Sequence, residues 1–302
     1  MTPRLSFRDE IKRNKLKSVI LISVIFIFLI ILGYIISLIL DPSYFFIIMI
    51  ISIVFSLSYV LISYYNSDRI AIASVRAKPA ERIKHTKFFR AAENMALASG
   101  LPMPKLFVMD SYEINAFASG RDPKNSVICV TTGALEKLNK EELEGVIAHE
   151  MSHIANYDIR FMTLATVLIG MISIAAQIFL RSLWFSSMSG RGRDGRVQIL
   201  LIVLGIVFAI LAPIAAHLVS FAISRKREFV ADATGVQLTR YPKGLASALK
   251  KIKHGHVSQK EKHKYSKAMA PLFISDPFKK KFKGIFSTHP DIDERIRRLE
   301  MM

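Results

Sequence analysis

The sequence is poor in cysteine, in tryptophan and in acidic residues. Its 302 residues include one cysteine, Cys129, so no internal disulfide can form and a disulfide-stapled scaffold is excluded. Charged residues make up only 22%, below the quarter or so of an ordinary soluble domain, and 24 acids stand against 42 Lys and Arg. Because 51% of the residues are apolar, intrinsic disorder and collagen-like structure are excluded as well. The apolar residues must therefore be concentrated in long segments.

Four long segments contain no charged residue. They cover residues 19–40, 44–65, 161–180 and 197–224. A helix of roughly 20 residues crosses the hydrocarbon layer of a bilayer. The first two segments are joined by a very short turn and therefore predict a transmembrane hairpin. The last two predict further membrane helices, with buried helices of a large soluble core as the alternative.

The distribution of basic residues predicts the orientation in the membrane. Residues 1–18 carry six Lys or Arg and two acids, whereas the turn 41–43 carries no basic residue. Basic residues favour the cytoplasmic side, so we expect the N-terminus and residues 66–160 and 225–302 to be cytoplasmic. The linker 181–196 has four Arg and one Asp and would then lie outside, against the same rule. Whether the third and fourth segments fully span the bilayer therefore stays open.

The basic C-terminal part predicts contact with a membrane surface rather than with nucleic acid. Residues 225–302 carry 19 basic and eight acidic residues. No helix-turn-helix, RNP or finger pattern accompanies this charge, whereas basic residues beside a membrane are attracted to anionic lipid headgroups. We therefore expect anionic lipids, and no nucleic acid, as partners. The oligomeric state is left open.

One segment has the H-E-x-x-H pattern typical of metal-dependent hydrolases. Asn139, followed three residues later by Glu142, predicts the start of a helix. On that helix His149 and His153 are four residues apart, so both imidazoles can bind one metal ion. Glu150 can reach a water on the open side of the metal, and such a ligand set suits zinc. Apolar residues at helical spacing predict a buried face, formed by Leu143, Val146, Ile147, Met151 and Ile154.

A second pattern supplies a candidate third ligand. Glu228 and Asp232 follow the fourth apolar segment and lie four residues apart, on one face of a predicted helix. If Glu228 binds the metal, Asp232 can accept the free N–H of a ligating histidine, which fixes the tautomer and orientation of that ring. Alone, such a pair is typical of a solvated acidic face. The presence of H-E-x-x-H elsewhere in the chain favours the ligand role.

Together these motifs resemble the M48 family of membrane zinc metalloproteases, in particular its HtpX-type heat-shock branch. The resemblance covers nearly the whole chain and rests on residues 115–118, 149–153, 227–232 and 288–290, with Arg295 and Leu299 beyond. It implies a mainly α fold with a small β-sheet, in which a zincin-like metalloprotease domain is fused to four hydrophobic (transmembrane) helices. Two parts would form that domain, residues 66–160 and 225–302, separated by the segments and linker of 161–224.

The resemblance also implies the roles of individual residues. One zinc ion (Zn2+) per chain would be held by His149, His153 and Glu228, with Glu150 as general base and His289 stabilising the oxyanion of the tetrahedral intermediate. A surface capping histidine is the alternative for His289. The implied activity is ATP-independent cleavage of misfolded or surplus membrane proteins and of unfolded proteins, at the cytoplasmic face of the plasma (inner) membrane.

A small sheet is predicted ahead of the H-E-x-x-H helix. Residues 106–109 and 127–131 are rich in β-branched and apolar side chains, and residues 120–125 predict a turn that closes a hairpin. An edge strand beside a zinc site can take up an extended substrate through backbone hydrogen bonds. By the family resemblance, Asn115 and Ala116 would bind substrate in this way.

Two other functions are compatible with parts of the sequence. A non-enzymatic, polytopic membrane scaffold with a structural metal site is the main alternative. It is disfavoured because structural zinc sites are usually closed by four ligands that include cysteine. An intramembrane protease is disfavoured because residues 136–160 contain nine charged side chains, too many for a spanning helix.

Overall fold

The computed structural model describes residues 7–39, 42–166, 203, 205, 225–255, 272–274 and 290–302. The predicted linker 181–196, most of the third and fourth apolar segments, and His289 lie outside these residues.

The described part of the chain is mainly helical and contains one small sheet, as predicted. Residues 158–166 are helical, and short 3-10 helices cover Pro42–Tyr44 and Pro123–Asn125. The other helices are α1 (Phe7–Ile39), α2 (Phe45–Tyr65), α3 (Ser67–Ser74), α4 (Thr86–Ser99), α5 (Thr132–Lys137), α6 (Lys140–Ala155), α7 (Arg225–Thr239), α8 (Pro242–His254) and α9 (Ile292–Glu300). The strands are β1 (Lys78–Pro79), β2 (Lys105–Met109), β3 (Ala116–Gly120) and β4 (Ser126–Thr131).

The two N-terminal helices form an apolar hairpin. By length and composition, Ile11–Ile31 and Phe45–Tyr65 are each able to cross a membrane. The helices approach closely at Gly33, where a Cβ would overlap the Ser52 side chain. Only 6% of the apolar window of α2 is buried, so this helix presents most of its side chains outward. An outward apolar helix of this kind is unlike the core helix of a soluble protein.

The four strands form a mixed sheet in the order β1-β2-β4-β3. Strands β2 and β4 are parallel, whereas β3 and β4 form the predicted antiparallel hairpin, with Ala116 opposite Val130. The hairpin turn contains the short helix Pro123–Asn125, and the preceding Asp122 side chain accepts the backbone N–H of Asn125 at 2.9 Å. Among the described residues, β3 is therefore an edge strand of the sheet, and it faces α6.

Helix α6 lies at the centre of the larger hydrophobic core. Its predicted apolar face is buried, and it packs on α4, β3, α7 and α8. A Cβ on Gly145 would lie 2.7 Å from the Leu245 backbone nitrogen, so this glycine lets α8 approach the backbone of α6. The helix that carries the H-E-x-x-H motif is therefore fixed on several sides.

The helical segment 158–166 packs against α1. A separate hydrophobic cluster joins three residues of α1 to the first residues of the third apolar segment. Its buried members are Leu21, Ile25, Leu29, Phe161, Leu164 and Ala165. This contact ties α1 to the chain directly after α6.

Candidate metal centre

The start of α6 is held by the predicted capping pair. The Asn139 side chain accepts the N–H of Glu142 at 2.8 Å, and the Glu142 carboxylate accepts the N–H of Asn139 at 2.8 Å. The same carboxylate accepts hydrogen bonds from Ser247 and Lys251 of α8, each at 2.6 Å. The capping box is thus also a tie between α6 and α8, and it anchors the helix ten residues before the first histidine.

His149, His153 and Glu228 converge on one point. The two Nε2 atoms of the histidines lie 3.2 Å apart, and the rings are nearly perpendicular. The Glu228 carboxylate oxygens lie 3.6 Å from Nε2 of His149 and 3.7 Å from Nε2 of His153. All three side chains are buried, and one ligand atom from each lies within 4.8 Å of the others. The structure therefore brings together the three residues that the sequence proposes as metal ligands.

Helix α7 delivers its carboxylates through one face. Glu228, Asp232 and Gly235 are spaced by four and three residues, which places them on the same side of the helix. A Cβ on Gly235 would lie 3.2 Å from the backbone nitrogen of His149, tighter than ordinary van der Waals contact. The absence of a side chain at this position lets α7 lie against α6 at the site.

His149 is supported by an ion pair from the C-terminal helix. Its Nδ1 lies 2.9 Å from Asp232, and Arg295 of α9 contacts the same carboxylate through two nitrogens at 2.6 and 2.8 Å. Another nitrogen of Arg295 lies 3.3 Å from Glu228. Burial lowers the pKa of His149, but the hydrogen bonds to Asp232 and Glu228 outweigh it and raise the pKa to about 9. Burial raises the pKa of Asp232, but Arg295 and His149 outweigh it, so that pKa lies below its usual value.

His153 is supported from a different direction. Its Nδ1 lies 3.0 Å from Asp158, which is buried in the turn and helix that follow α6. The other oxygen of Asp158 accepts a hydrogen bond at 2.7 Å from Asn14 of α1 and lies 3.6 Å from Arg227 of α7. Neither Asp158 nor Asn14 was singled out from the sequence. The closeness of Asp158 to the motif was an available signal, whereas Asn14 lies 144 positions before Asp158 in the sequence.

The donor set fits a borderline-soft cation such as zinc. When each Nδ1–H donates to its carboxylate, both Nε2 atoms present lone pairs to the same point, beside the Glu228 carboxylate. Lone pairs at 3.2 Å repel one another unless a cation or a proton lies between them. Two imidazoles and one carboxylate, with an open fourth position, are the ligands of catalytic rather than structural zinc sites.

Glu150 lies beside this cluster and faces strand β3. It is buried, and its carboxylate accepts a hydrogen bond from the backbone N–H of Ala118. Burial, the largest influence, raises the pKa of Glu150 despite the opposing effect of the two histidines. A carboxyl group with a raised pKa holds a proton more readily than an ordinary carboxylate, which suits a general base.

The predicted substrate residues lie at the start of β3. The backbone N–H of Asn115 donates to the Thr131 hydroxyl at 3.0 Å, and its side chain accepts the N–H of Ala116 at 3.0 Å. The carbonyl of Ala116 accepts a hydrogen bond from the backbone N–H of Ile274 at 2.9 Å. A strand added at this edge would therefore have to displace Ile274 from Ala116. No pattern in the sequence predicts that contact.

Comparison with known proteins agrees with the resemblance seen in the motifs. The family profile described as "Peptidase family M48" matches residues 83–302, which is most of the chain. The chain belongs to peptidase family M48. Membership makes it a metalloprotease, and zinc is the cofactor that the family implies.

Among M48 relatives, the chain is similar to several proteins named "Protease HtpX homolog". It is 46% identical to one from Caldanaerobacter subterraneus subsp. tengcongensis over 251 residues, 82% of this chain and 83% of the relative. It is 43% identical to one from Dictyoglomus thermophilum, over 98% of this chain and 95% of the relative. It is 38% identical to one from Streptococcus pyogenes, over 97% and 99%.

One solved structure is also similar to the chain. The crystal structure of S. mikatae Ste24p matches with a TM-score of 0.50 and 18% identity, over 95% of this chain. The match covers 65% of the Ste24p chain. At this identity the likeness concerns the fold alone.

Proposed function

We propose that this protein is a membrane-anchored, ATP-independent zinc endopeptidase that cleaves misfolded or surplus membrane proteins at the cytoplasmic face. The observation that carries the proposal is the buried convergence of His149, His153 and Glu228, with Glu150 beside it. One zinc ion per chain would be held by the Nε2 atoms of the two histidines and by the Glu228 carboxylate. Bound there, zinc supplies Lewis acidity, which polarises a scissile carbonyl and makes water acidic enough to lose a proton near neutral pH.

The residues of the chain divide the remaining chemistry. Glu150 takes a proton from the attacking water as the carbon–oxygen bond forms, and passes it to the leaving amine as the carbon–nitrogen bond breaks. The burial that raises the pKa of Glu150 favours this double use. The Nδ1 partners Asp232 and Asp158 keep both imidazoles oriented. From the family motif, His289 is proposed to donate a hydrogen bond to the developing oxyanion.

A cluster of aromatic and basic side chains supports a location of the catalytic site at the membrane boundary. Arg121 lies over the ring of Tyr65 at 5.0 Å, and Arg160 lies over Tyr64 at 5.6 Å and over Tyr157 at 5.3 Å. Aromatic and basic residues are enriched where a helix leaves the hydrocarbon layer. Tyr157 directly precedes Asp158, the partner of His153. The catalytic site would therefore lie close to the lipid headgroups, with which the basic residues would interact.

The proposed substrates follow from that location. A site at the boundary reaches cytoplasmic loops and juxtamembrane segments of neighbouring proteins, but not peptide bonds deep in the bilayer. An extended segment would add to the edge of β3 at Asn115 and Ala116, where backbone hydrogen bonds give affinity without demanding a sequence. The basic N-terminus and the basic residues of α7 and α8 favour a cytoplasmic orientation in a multi-pass protein of the inner membrane.

The decisive experiment separates metal binding from proteolysis. Full-length protein in liposomes is given a multi-spanning membrane substrate, the cut sites are mapped by mass spectrometry, and bound zinc is measured by elemental analysis. We expect Glu150→Gln to retain zinc but lose proteolysis, because an amide cannot accept the proton. Glu228→Ala should lose both, and Glu141→Gln, at an exposed position of the same helix, is the matched control.

Three results would contradict the proposal. Near-wild-type cleavage by zinc-loaded Glu150→Gln would remove Glu150 as the base. Stoichiometric zinc without any proteolysis by the wild type would favour the non-enzymatic scaffold. Cuts in the middle of transmembrane helices, or only in loops on the opposite side of the membrane, would refute the location and the orientation.

A further inference from the structure

Asn14, near the N-terminal end of α1, is a buried polar residue on an apolar helix. Asn14 is 4% exposed, and its amide nitrogen makes two hydrogen bonds to the residues directly after α6. It donates to the Asp158 carboxylate at 2.7 Å and to the backbone carbonyl of Asn156 at 3.0 Å. A buried amide stabilises a structure only when its hydrogen bonds are made. The first membrane helix therefore has a specific polar connection to the turn after α6.

That turn sets the position of Asp158. Helix α6 ends at Ala155, and Tyr157 has a φ of +59°, a left-handed conformation that is unfavourable for a residue with a side chain. The Asn14 amide donates one hydrogen bond to the carbonyl of Asn156, which precedes Tyr157, and one to the carboxylate of Asp158, which follows it. Lys15, the next residue of α1, lies over the Tyr157 ring at 4.3 Å. The end of α1 thus holds the turn on both sides of its left-handed residue.

Attachment of α1 does not itself require the amide. The cluster that joins Leu21, Ile25 and Leu29 to the segment 158–166 already fixes this helix by apolar contact. The amide differs from those contacts because it bonds one carboxylate oxygen while the other faces Nδ1 of His153 at 3.0 Å. A carboxylate held through both oxygens has a fixed plane, and so does the imidazole it supports.

We propose that Asn14 is a positioning residue for the metal centre, acting through Asp158 on His153. The inference rests on the proposed role of His153 as a metal ligand. It makes the first membrane helix part of the site: the hydrogen-bonded chain runs from α1 through the turn to the imidazole. Loss of the amide would leave the ligands in place but allow the His153 ring to reorient.

The test measures metal binding in the full-length protein in detergent, without reference to activity. Zinc affinity is determined by competition with a chromophoric chelator, and the ligand geometry is followed in the visible spectrum of the cobalt(II)-substituted protein. Asn14→Ala removes the donor, and Asn14→Leu removes it while filling the same space. Loss of a direct partner of a ligand typically lowers metal affinity about 10–100-fold. We expect a smaller loss, about 3–10-fold, in both Asn14 variants because the amide acts one residue further away.

A double-mutant cycle tests whether the effect passes through Asp158. If it does, Asn14→Leu should add no further loss of zinc affinity to Asp158→Ala. Ser18→Ala is the matched control, since the buried Ser18 hydroxyl donates to the backbone carbonyl of Asn14 and leaves the Asn14 side-chain amide untouched. It should leave the affinity and the cobalt spectrum unchanged. Thermal unfolding of each metal-free variant identifies any that fail to fold.

The outcomes separate this inference from the function on which it rests. Wild-type affinity and an unaltered cobalt spectrum in a folded Asn14→Leu protein would overturn the positioning role alone. A defect in Asn14→Ala that Asn14→Leu repairs would assign Asn14 to side-chain packing, and would overturn it too. Failure of the wild type to bind zinc or cobalt at all would instead refute the proposed metal centre.

Discussion

The two candidate histidine ligands each face a buried carboxylate, but different groups hold the two carboxylates in place. Each Nδ1 faces a buried carboxylate at about the same distance, Asp232 at 2.9 Å for His149 and Asp158 at 3.0 Å for His153. Behind Asp232 lies Arg295, a buried guanidinium with two short contacts to the carboxylate. Behind Asp158 the short contact is the neutral amide of Asn14, with the Arg227 guanidinium further away at 3.6 Å.

The difference shows two ways to hold a ligand in a membrane protease. On the C-terminal side, a bidentate ion pair neutralises a buried carboxylate and belongs to the folded domain. On the side of α1, an amide orients the carboxylate and connects the site to the apolar hairpin. We infer that loss of the first support costs mainly stability, whereas loss of the second costs mainly ligand geometry. Variants that change one support at a time test this division.

The largest expected effect is on the C-terminal side. Arg295→Met leaves the carboxylates of Asp232 and Glu228 buried without their guanidinium, and breaking a buried pair typically costs about 3–5 kcal/mol. We expect the free energy of unfolding of the metal-free protein to fall by about that amount, measured by urea titration in detergent. Arg297→Met on the same helix is the control: Arg297 is exposed and pairs with Glu294, so its loss should cost no more than about 1 kcal/mol. Equal losses in the two variants would show that the buried ion pair of Arg295 stabilises the fold no more than an exposed one.

A smaller effect is expected when the carboxylates themselves are removed. Asp232→Ala and Asp158→Ala should each weaken zinc binding about 10–100-fold, because each removes the direct partner of a ligating imidazole. Competition titration with a chelator gives both values on one scale. Unchanged affinity in Asp232→Ala would reduce that residue to an ordinary acid on a helix face. Unchanged affinity in Asp158→Ala would show that Asp158 does not support His153 in metal binding.

The local parts of the site could be predicted from the sequence. The capping pair Asn139 and Glu142, the buried face of α6 and the hairpin of β3 with β4 are confirmed. So is the common helix face of Glu228 and Asp232, which the structure extends to a hydrogen-bonding partner for His149. Each of these depends on residues a few positions apart, where helical or strand spacing alone decides which side chains are neighbours.

The remaining parts depend on how distant segments meet. The amide of Asn14 joins Asp158 across 144 positions, from a segment whose sequence indicated only a basic terminus before a membrane helix. Arg295 was part of a quoted motif, but its spacing from Asp232 does not predict an ion pair. The hydrogen bond from Ile274 to Ala116 likewise joins segments far apart in the chain. Periodicity describes one element at a time and does not predict such contacts.

The smallest expected effect concerns the pH dependence of zinc binding, and it differs between the two sides of the site. In the metal-free protein the pKa of His149 is raised from 6.5 to about 9, with Asp232 as its first charged partner. That proton stabilises the metal-free fold fully below the ordinary pKa, and the stabilisation is lost as pH rises through about 9.

Zinc must displace the same proton from His149, so apparent zinc affinity should rise about tenfold per pH unit from pH 7 towards 9. In Asp232→Asn the neutral partner no longer holds the proton, so the rise should level off at a lower pH than in the wild type, whereas Asp293→Asn, at an exposed residue, should behave as the wild type. A wild-type affinity that is flat over this range, after correction for the chelator, would show that His149 is already neutral and that Asp232 orients it without charging it.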